Sequence, residues 1–91
     1  MSLSFRLQLP TGAPFHGFAT DAAARFMDII GASAEESAAF AAAVTQAVAS
    51  LSSVGPTAAV SFRTAATGGE AVVECQGQSR VLRGAVAALK T

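Results

Sequence analysis

The spacing of the large apolar residues changes twice along this chain, and the change limits the folds open to it. Near the N-terminus, Leu3, Phe5, Leu7 and Leu9 alternate with polar residues. A period of two is typical of a strand with one solvated face. The middle third follows a helical spacing, and the period of two returns between 58 and 75. Helices placed between two strand regions predict an α+β fold.

Two amphipathic helices are predicted in the middle third. The first begins at Thr20 or Asp21, after an irregular segment at 13–19, and Gly31 is placed to end it. The second begins at Ser33, because a glutamate three residues later completes the capping-box pattern. Each helix carries one apolar stripe that we expect to face the core. The stripes are Ala23, Phe26, Met27 and Ile30 in the first helix and Phe40, Val44, Ala47, Val48 and Leu51 in the second.

The C-terminal half is predicted to hold a β-hairpin and a last helix. Alternating residues predict strands at 58–63 and 71–75, and the link 64–69 ends in two glycines expected to form the turn. A short amphipathic helix is then predicted from the spacing of Leu82, Ala85, Val86 and Leu89. On that helix Arg80 and Arg83 lie off the apolar side, on a solvated face.

The predicted order is therefore β-α-α-β-β-α. It describes a two-layer α+β sandwich, in which a mainly antiparallel three-stranded sheet carries the helices on one face. No linker, repeat or low-complexity segment interrupts the chain. Residues 1–91 are predicted to form a single α+β domain, a length within the ~50–200 residues usual for one domain.

Composition excludes several classes of function. Six Lys and Arg balance six Asp and Glu, which argues against nucleic-acid binding, since that depends on a basic surface. One Cys and one His exclude an intrachain disulfide and a multi-Cys metal site, so neither metal nor cofactor is expected. The chain has no run of ~20 apolar residues that could cross a membrane. The N-terminus does not resemble a secretory signal, and a cytoplasmic location with a reduced Cys75 is expected.

The opening strand Phe5-Arg6-Leu7-Gln8-Leu9-Pro10, the helix at 33–51 and the hairpin after it resemble a known family. The order is similar to that of the anti-sigma-factor serine kinases of the histidine-kinase-like ATPase family, over roughly residues 3–79. That family's helix carries a Glu and, four residues later, an Asn that binds the nucleotide's Mg²⁺. Its hairpin leads into an Asp-x-Gly-x-Gly motif, whose Asp accepts a hydrogen bond from adenine.

The resemblance places four residues of this chain at nucleotide-site positions. Gln46 falls at the Glu position and Ser50 at the Asn position; their spacing puts both on one side of the helix, away from its core stripe. Cys75 falls at the Asp position, where a neutral thiol is a poor acceptor. Gly77 is the one residue that matches its motif. The resemblance therefore implies a degenerate site, with no catalytic or cofactor-binding residue retained.

The function expected is a small, non-catalytic regulatory module that binds a protein, as a bacterial anti-sigma-like domain would. The partner implied is a transcription-regulatory protein, and a homodimer is one option. Two alternatives stay open: a small ligand-binding or enzymatic domain, and a structural subunit of a larger assembly. His16 and Cys75 are the only side chains of their types. We expect His16 in a loop or half-buried, and Cys75 as an inert core thiol.

Overall fold

The computed structural model describes residues 3–87, in which a four-stranded antiparallel sheet carries two helices on one face. The elements are β1 (Ser4–Pro10), a 3-10 turn (Ala13–Phe15), α1 (His16–Ile29), α2 (Ala34–Ser50), β2 (Thr57–Ala65), β3 (Gly68–Cys75) and β4 (Gln78–Ala85). The strands lie in the order β1-β2-β3-β4, and each neighbouring pair is antiparallel. The α+β class is confirmed, and so are all three predicted strands, although the sheet has a fourth strand that was not predicted.

The predicted C-terminal helix is wrong, because residues 78–85 form β4. Gln76 and Gly77 both have positive φ, 48° and 84°, and they form a two-residue turn that pairs Cys75 with Gln78. Positive φ at both central residues matches the twist of the flanking strands and closes a tight hairpin. The chain therefore returns along β3, where Leu82 lies opposite Ala71. Leu89, the last residue of the predicted stripe, lies outside the described residues.

The start of α1 also differs from the prediction. The helix begins at His16, and Phe15 precedes it without a side-chain cap. Thr20, predicted as a cap, lies inside the helix and its hydroxyl donates to the carbonyl of His16 at 3.1 Å. The predicted end is confirmed, since Gly31 adopts φ 95°, a conformation that favours glycine.

The start of α2 is as predicted. The Ser33 hydroxyl accepts from the Glu36 amide at 3.1 Å, and the Glu36 carboxylate accepts from the Ser33 amide at 2.7 Å. Both amides would otherwise lack a partner within the helix.

Four phenylalanines hold the two layers together. Phe26 of α1 contacts Phe62 at 5.4 Å and Phe5 at 5.9 Å between ring centroids, and Phe40 of α2 lies 6.2 Å from Phe26. Every residue of the two predicted helical stripes is buried. Apolar area removed from water contributes ~25 cal/mol per Å², so burial of these rings stabilises the contact between the layers.

The glycines predicted to turn between β2 and β3 lie instead within β3. A Cβ on Gly69 would come 2.5 Å from Cε2 of Phe26, so the missing side chain makes room for the ring. Gly84 lies opposite Gly69 on β4, and a Cβ there would meet Met27 and Phe40, each at 2.7 Å. The aromatic cluster therefore packs directly against the backbone of Gly69 and Gly84.

Candidate functional site

The two helical positions of the predicted nucleotide site lie on the solvent side of α2. Gln46 and Ser50 are both exposed, as predicted. Gln46 lines a shallow groove of about 540 Å³ between α1 and α2, whose other lining side chains are Ala or Thr. The Ser50 hydroxyl donates to the carbonyl of Ala47, within its own helix, at 2.9 Å. Neither residue carries a charge that could hold a cation or a phosphate.

The two hairpin positions lie elsewhere. Cys75 is 2% exposed and belongs to the core between the layers. Its sulfur packs against Gly55, where a Cβ would come within 2.9 Å of Sγ. Gly77 is exposed in the β3–β4 turn. Neither lines the groove that holds Gln46, so the four positions do not converge on one cavity.

His16 has a structural role at the start of α1. Its Nε2 lies 2.7 Å from the carbonyl oxygen of Thr11. Thr11 is itself buried, and it donates from Oγ1 to the Gly55 carbonyl at 2.6 Å and from its amide to the Pro56 carbonyl at 2.9 Å. The half-buried state expected for His16 is confirmed. These bonds tie the end of β1 to the α2–β2 loop.

The face of the sheet opposite the helices carries an ion-pair network that the sequence reading missed. Glu70 is 5% exposed, and its carboxylate accepts from Nε of Arg63 at 2.7 Å and from Nε of Arg83 at 3.1 Å. The pKa of Glu70 lies below its ordinary value, chiefly because of the hydrogen bond from Arg63. The positive charges of Arg63 and Arg83 lower this pKa further, whereas burial raises it. Arg80 and Arg83, predicted on one solvated helical face, lie on opposite faces of β4.

Strand register is the signal that would have revealed this network. Arg63 lies opposite Glu70, and Glu70 lies opposite Arg83. Opposite charges directly across neighbouring strands attract each other. The sequence contains all three residues, but their alignment depends on the length of both hairpin turns, and the residue spacing predicts a helix where β4 lies.

Beside this network is a shallow cavity of about 460 Å³ on the same face, built on β1, β2 and β3. Two identical triplets form its floor: Ser4-Phe5-Arg6 on β1 and Ser61-Phe62-Arg63 on β2. Val72 and Glu74 of β3 complete the lining. Because the strands are antiparallel, Ser4 lies opposite Arg63 and Arg6 lies opposite Ser61. The cavity therefore collects two arginines and two serine hydroxyls on one flat surface.

Comparison with known proteins identifies no relative. No family model matches the chain, and neither a curated protein nor a solved structure shows detectable similarity to it. Within residues 3–87, no group of three or more His, Cys, Asp or Glu side chains is placed to hold a metal ion. Neither helix of that region is long and apolar enough to cross a membrane.

Proposed function

We propose that this chain is a small, non-catalytic protein-interaction module, related to an anti-sigma kinase domain that has lost its nucleotide-site residues. One observation carries the proposal: Cys75, at the position of the adenine-binding Asp, is a core residue, and Gly77 closes a two-residue turn. The observed order of one strand, two helices and a hairpin is consistent with that kinship. The partner proposed is a transcription-regulatory protein in the cytoplasm.

The geometry of the β3–β4 turn argues against nucleotide binding. In the family that this chain resembles, the motif after the hairpin is an open, glycine-rich segment whose backbone approaches the nucleotide. Here Cys75 and Gln78 are paired directly across the turn, so only two residues lie between the strands. A buried thiol supplies no anionic acceptor for an adenine amino group. These features favour a surface that binds protein over a pocket that binds ATP.

The reactive side chains are also engaged in structure. His16 is bonded to Thr11, and Cys75 is packed against Gly55. Glu36 caps α2, and its neighbour Glu35 points away from it by ~100° around the helix axis. The two carboxylates therefore cannot converge on one substrate bond as a general acid and a general base. This arrangement supports a binding role rather than the alternative of an enzyme.

Calorimetric titration with ATP and Mg²⁺ tests the proposal. We expect no binding by the wild-type chain, and none by the double variant Gln46→Glu/Ser50→Asn, which restores the helical pair of the family. The restored pair is not expected to produce binding, because Cys75 still lies in the core and Gly77 still lies in the two-residue turn, so neither completes a nucleotide site beside that pair. Micromolar binding by the wild type would refute the non-catalytic proposal. Binding by the double variant alone would show that the hairpin half of the site is intact, and would refute the reasoning about the turn.

A further inference from the structure

The two Ser-Phe-Arg triplets form a site with local two-fold symmetry. Phe5 lies opposite Phe62 at its centre, and the two rings stack on the core side with centroids 5.0 Å apart. On the outer side, Arg6 and Arg63 are diagonal neighbours across the strand pair. Such residues lie ~7–8 Å apart, within the reach of long side chains. The stacked rings therefore hold two guanidinium groups and two hydroxyls over one strand pair.

Some of the guanidinium N–H groups of this site are bonded to Glu70, and others are available to a ligand. Glu70 accepts from Nε of Arg63 and also contacts its Nη2, which positions that guanidinium. Within residues 3–87, Nη1 of Arg63 has no hydrogen-bond partner, and Arg6 forms no ion pair. Arg6 is exposed. A ligand with two acceptor oxygens could therefore receive hydrogen bonds from both arginines without displacing Glu70.

We propose that Arg6, Arg63, Ser4 and Ser61 bind the carboxylate of an acidic segment from a partner protein. The proposal names the partner's chemistry for the protein-interaction function, and it rests on that function. Arg6 forms no ion pair within residues 3–87, so its guanidinium can present two parallel N–H donors that match the two oxygens of a carboxylate. Nη1 of Arg63, which Glu70 does not use, adds a further donor. Ser4 lies opposite Arg63 and Ser61 lies opposite Arg6, so each arginine has a serine hydroxyl beside it that adds a neutral donor.

The charge of the cavity favours a carboxylate over a phosphate. Arg6, Arg63 and Arg83 contribute three positive charges in and beside the cavity, and Glu70 and Glu74 contribute two negative charges. The sum of +1 is neutralised by one carboxylate. A phosphate with about −1.5 to −2 charges would leave an excess beside Glu74. A second copy of the chain placed sheet to sheet would set one net positive face against another, which is unfavourable.

The surface next to the site indicates a peptide segment. Arg6, Ser61, Val72 and Val81 lie in one row across the four strands, and Val81 is 50% exposed. A partner residue two positions beyond the acidic one would lie ~7 Å further along this row, where an apolar side chain can cover the valines. Four strands at ~4.8 Å spacing give a face only about 14 Å wide. That width suits an extended segment better than a globular interface of ~800 Å² per partner.

Titration followed by ¹H–¹⁵N NMR tests the site with three probes. The first is a blocked pentapeptide of sequence Ser-Glu-Ser-Val-Ser, the second replaces its Glu by Gln, and the third is inorganic phosphate. We expect millimolar binding of the first peptide, with shifts confined to the two triplets, Val72 and Val81. The Gln peptide should not bind. Arg6→Gln should weaken binding of the first peptide about two- to fivefold, as expected for one exposed ion pair, whereas Arg80→Gln, which removes an equal charge outside the site, should leave it unchanged.

Other outcomes would overturn the site in distinct ways. Equal binding of both peptides, or an equal loss in the Arg80→Gln control, would show that no specific carboxylate site exists. Tighter binding of phosphate would reassign the site to phosphate groups. Light scattering that shows a dimer, dissociated by Arg6→Gln, would assign the face to a second copy. ATP binding is measured separately, so the two proposals can fail independently. If neither the peptide nor ATP binds, the carboxylate site alone is overturned. If both the peptide and ATP bind, the non-catalytic proposal alone is overturned.

Discussion

Substitution of Gly69 by alanine is the sharpest test of how the two layers fit. Gly69 is buried in β3, and an added Cβ would lie 2.5 Å from Cε2 and 3.2 Å from Cζ of Phe26, and 3.0 Å from Sδ of Met27. Phe26 is fully buried and contacts three other phenylalanine rings. The ring therefore cannot move away from the new methyl group without displacing the cluster.

Two opposing effects set the magnitude. Forcing one extra carbon into a well-packed core costs ~1–3 kcal/mol. Replacing Gly by Ala restricts the unfolded chain and returns ~0.4–1 kcal/mol. The 2.5 Å approach to the fixed Phe26 ring places this cost in the upper half of its range, at ~2–3 kcal/mol. We therefore expect Gly69→Ala to lower the free energy of unfolding by about 1–2.5 kcal/mol, and each kcal/mol corresponds to a fall in Tm of ~4–8 °C for a domain of this size.

Urea unfolding followed by circular dichroism measures the effect. Gly17→Ala is the matched control, because a Cβ at this exposed position in α1 meets nothing within 4 Å, so the same change should be neutral or stabilise by up to ~1 kcal/mol. Phe26→Leu should cost less in the Gly69→Ala background than in the wild type, since the smaller side chain relieves the clash. A Gly69→Ala protein as stable as the wild type, or strict additivity with Phe26→Leu, would refute the packing argument.

Two further predictions concern polar groups. Folding lowers the pKa of Glu70, chiefly through its hydrogen bond from Arg63. The ionised carboxylate therefore stabilises the fold above its ordinary pKa of 4.5, and this stabilisation is lost as pH falls through the lower pKa of the folded state. The difference in unfolding free energy between wild type and Glu70→Gln, measured by urea unfolding from pH 7 to pH 2, should shrink in that acid range, and a difference that grows there would contradict the network. Ser33→Ala removes the side-chain acceptor that caps α2 and should lower the free energy of unfolding by about 1 kcal/mol. The control Ser53→Ala changes an exposed loop residue and should leave that free energy within ~0.5 kcal/mol of the wild-type value. Equal effects of the two variants in thermal unfolding would count against the capping box.

The parts of the fold that follow local rules could be predicted from the sequence. Alternation located β1, β2 and β3, and the Ser33 capping box fixed the start of α2. The start of α1 was missed because His16 has no capping side chain before it, and because Phe18 of its first turns is 62% exposed. Neither a cap nor an apolar stripe therefore marks that end of the helix.

The last strand was missed for a different reason. Leu82, Ala85 and Val86 follow a three- and four-residue spacing, which eight residues cannot distinguish from a strand with one apolar face. The informative signal was the turn before it, where Gly77 is a common residue for a tight hairpin. The outer-face site depended on this strand and on the register of all four. Only pairing brings Arg6 beside Ser61 and Arg63 beside Glu70.

The position of β1 in the sheet has a consequence for how the molecule assembles. Strands β2, β3 and β4 are joined by turns of two residues, but roughly 46 residues separate Pro10 from its partner Thr57, and each doubling of a loop adds ~0.6 kcal/mol of closure entropy. Pairing of β1 is therefore the most costly closure in the sheet, and we expect it to follow formation of the local hairpins. Half of the carboxylate site is on β1, so a partly folded chain that has formed only the β2-β3-β4 hairpins would lack the site. The surface proposed for the partner is therefore present only in the fully folded molecule.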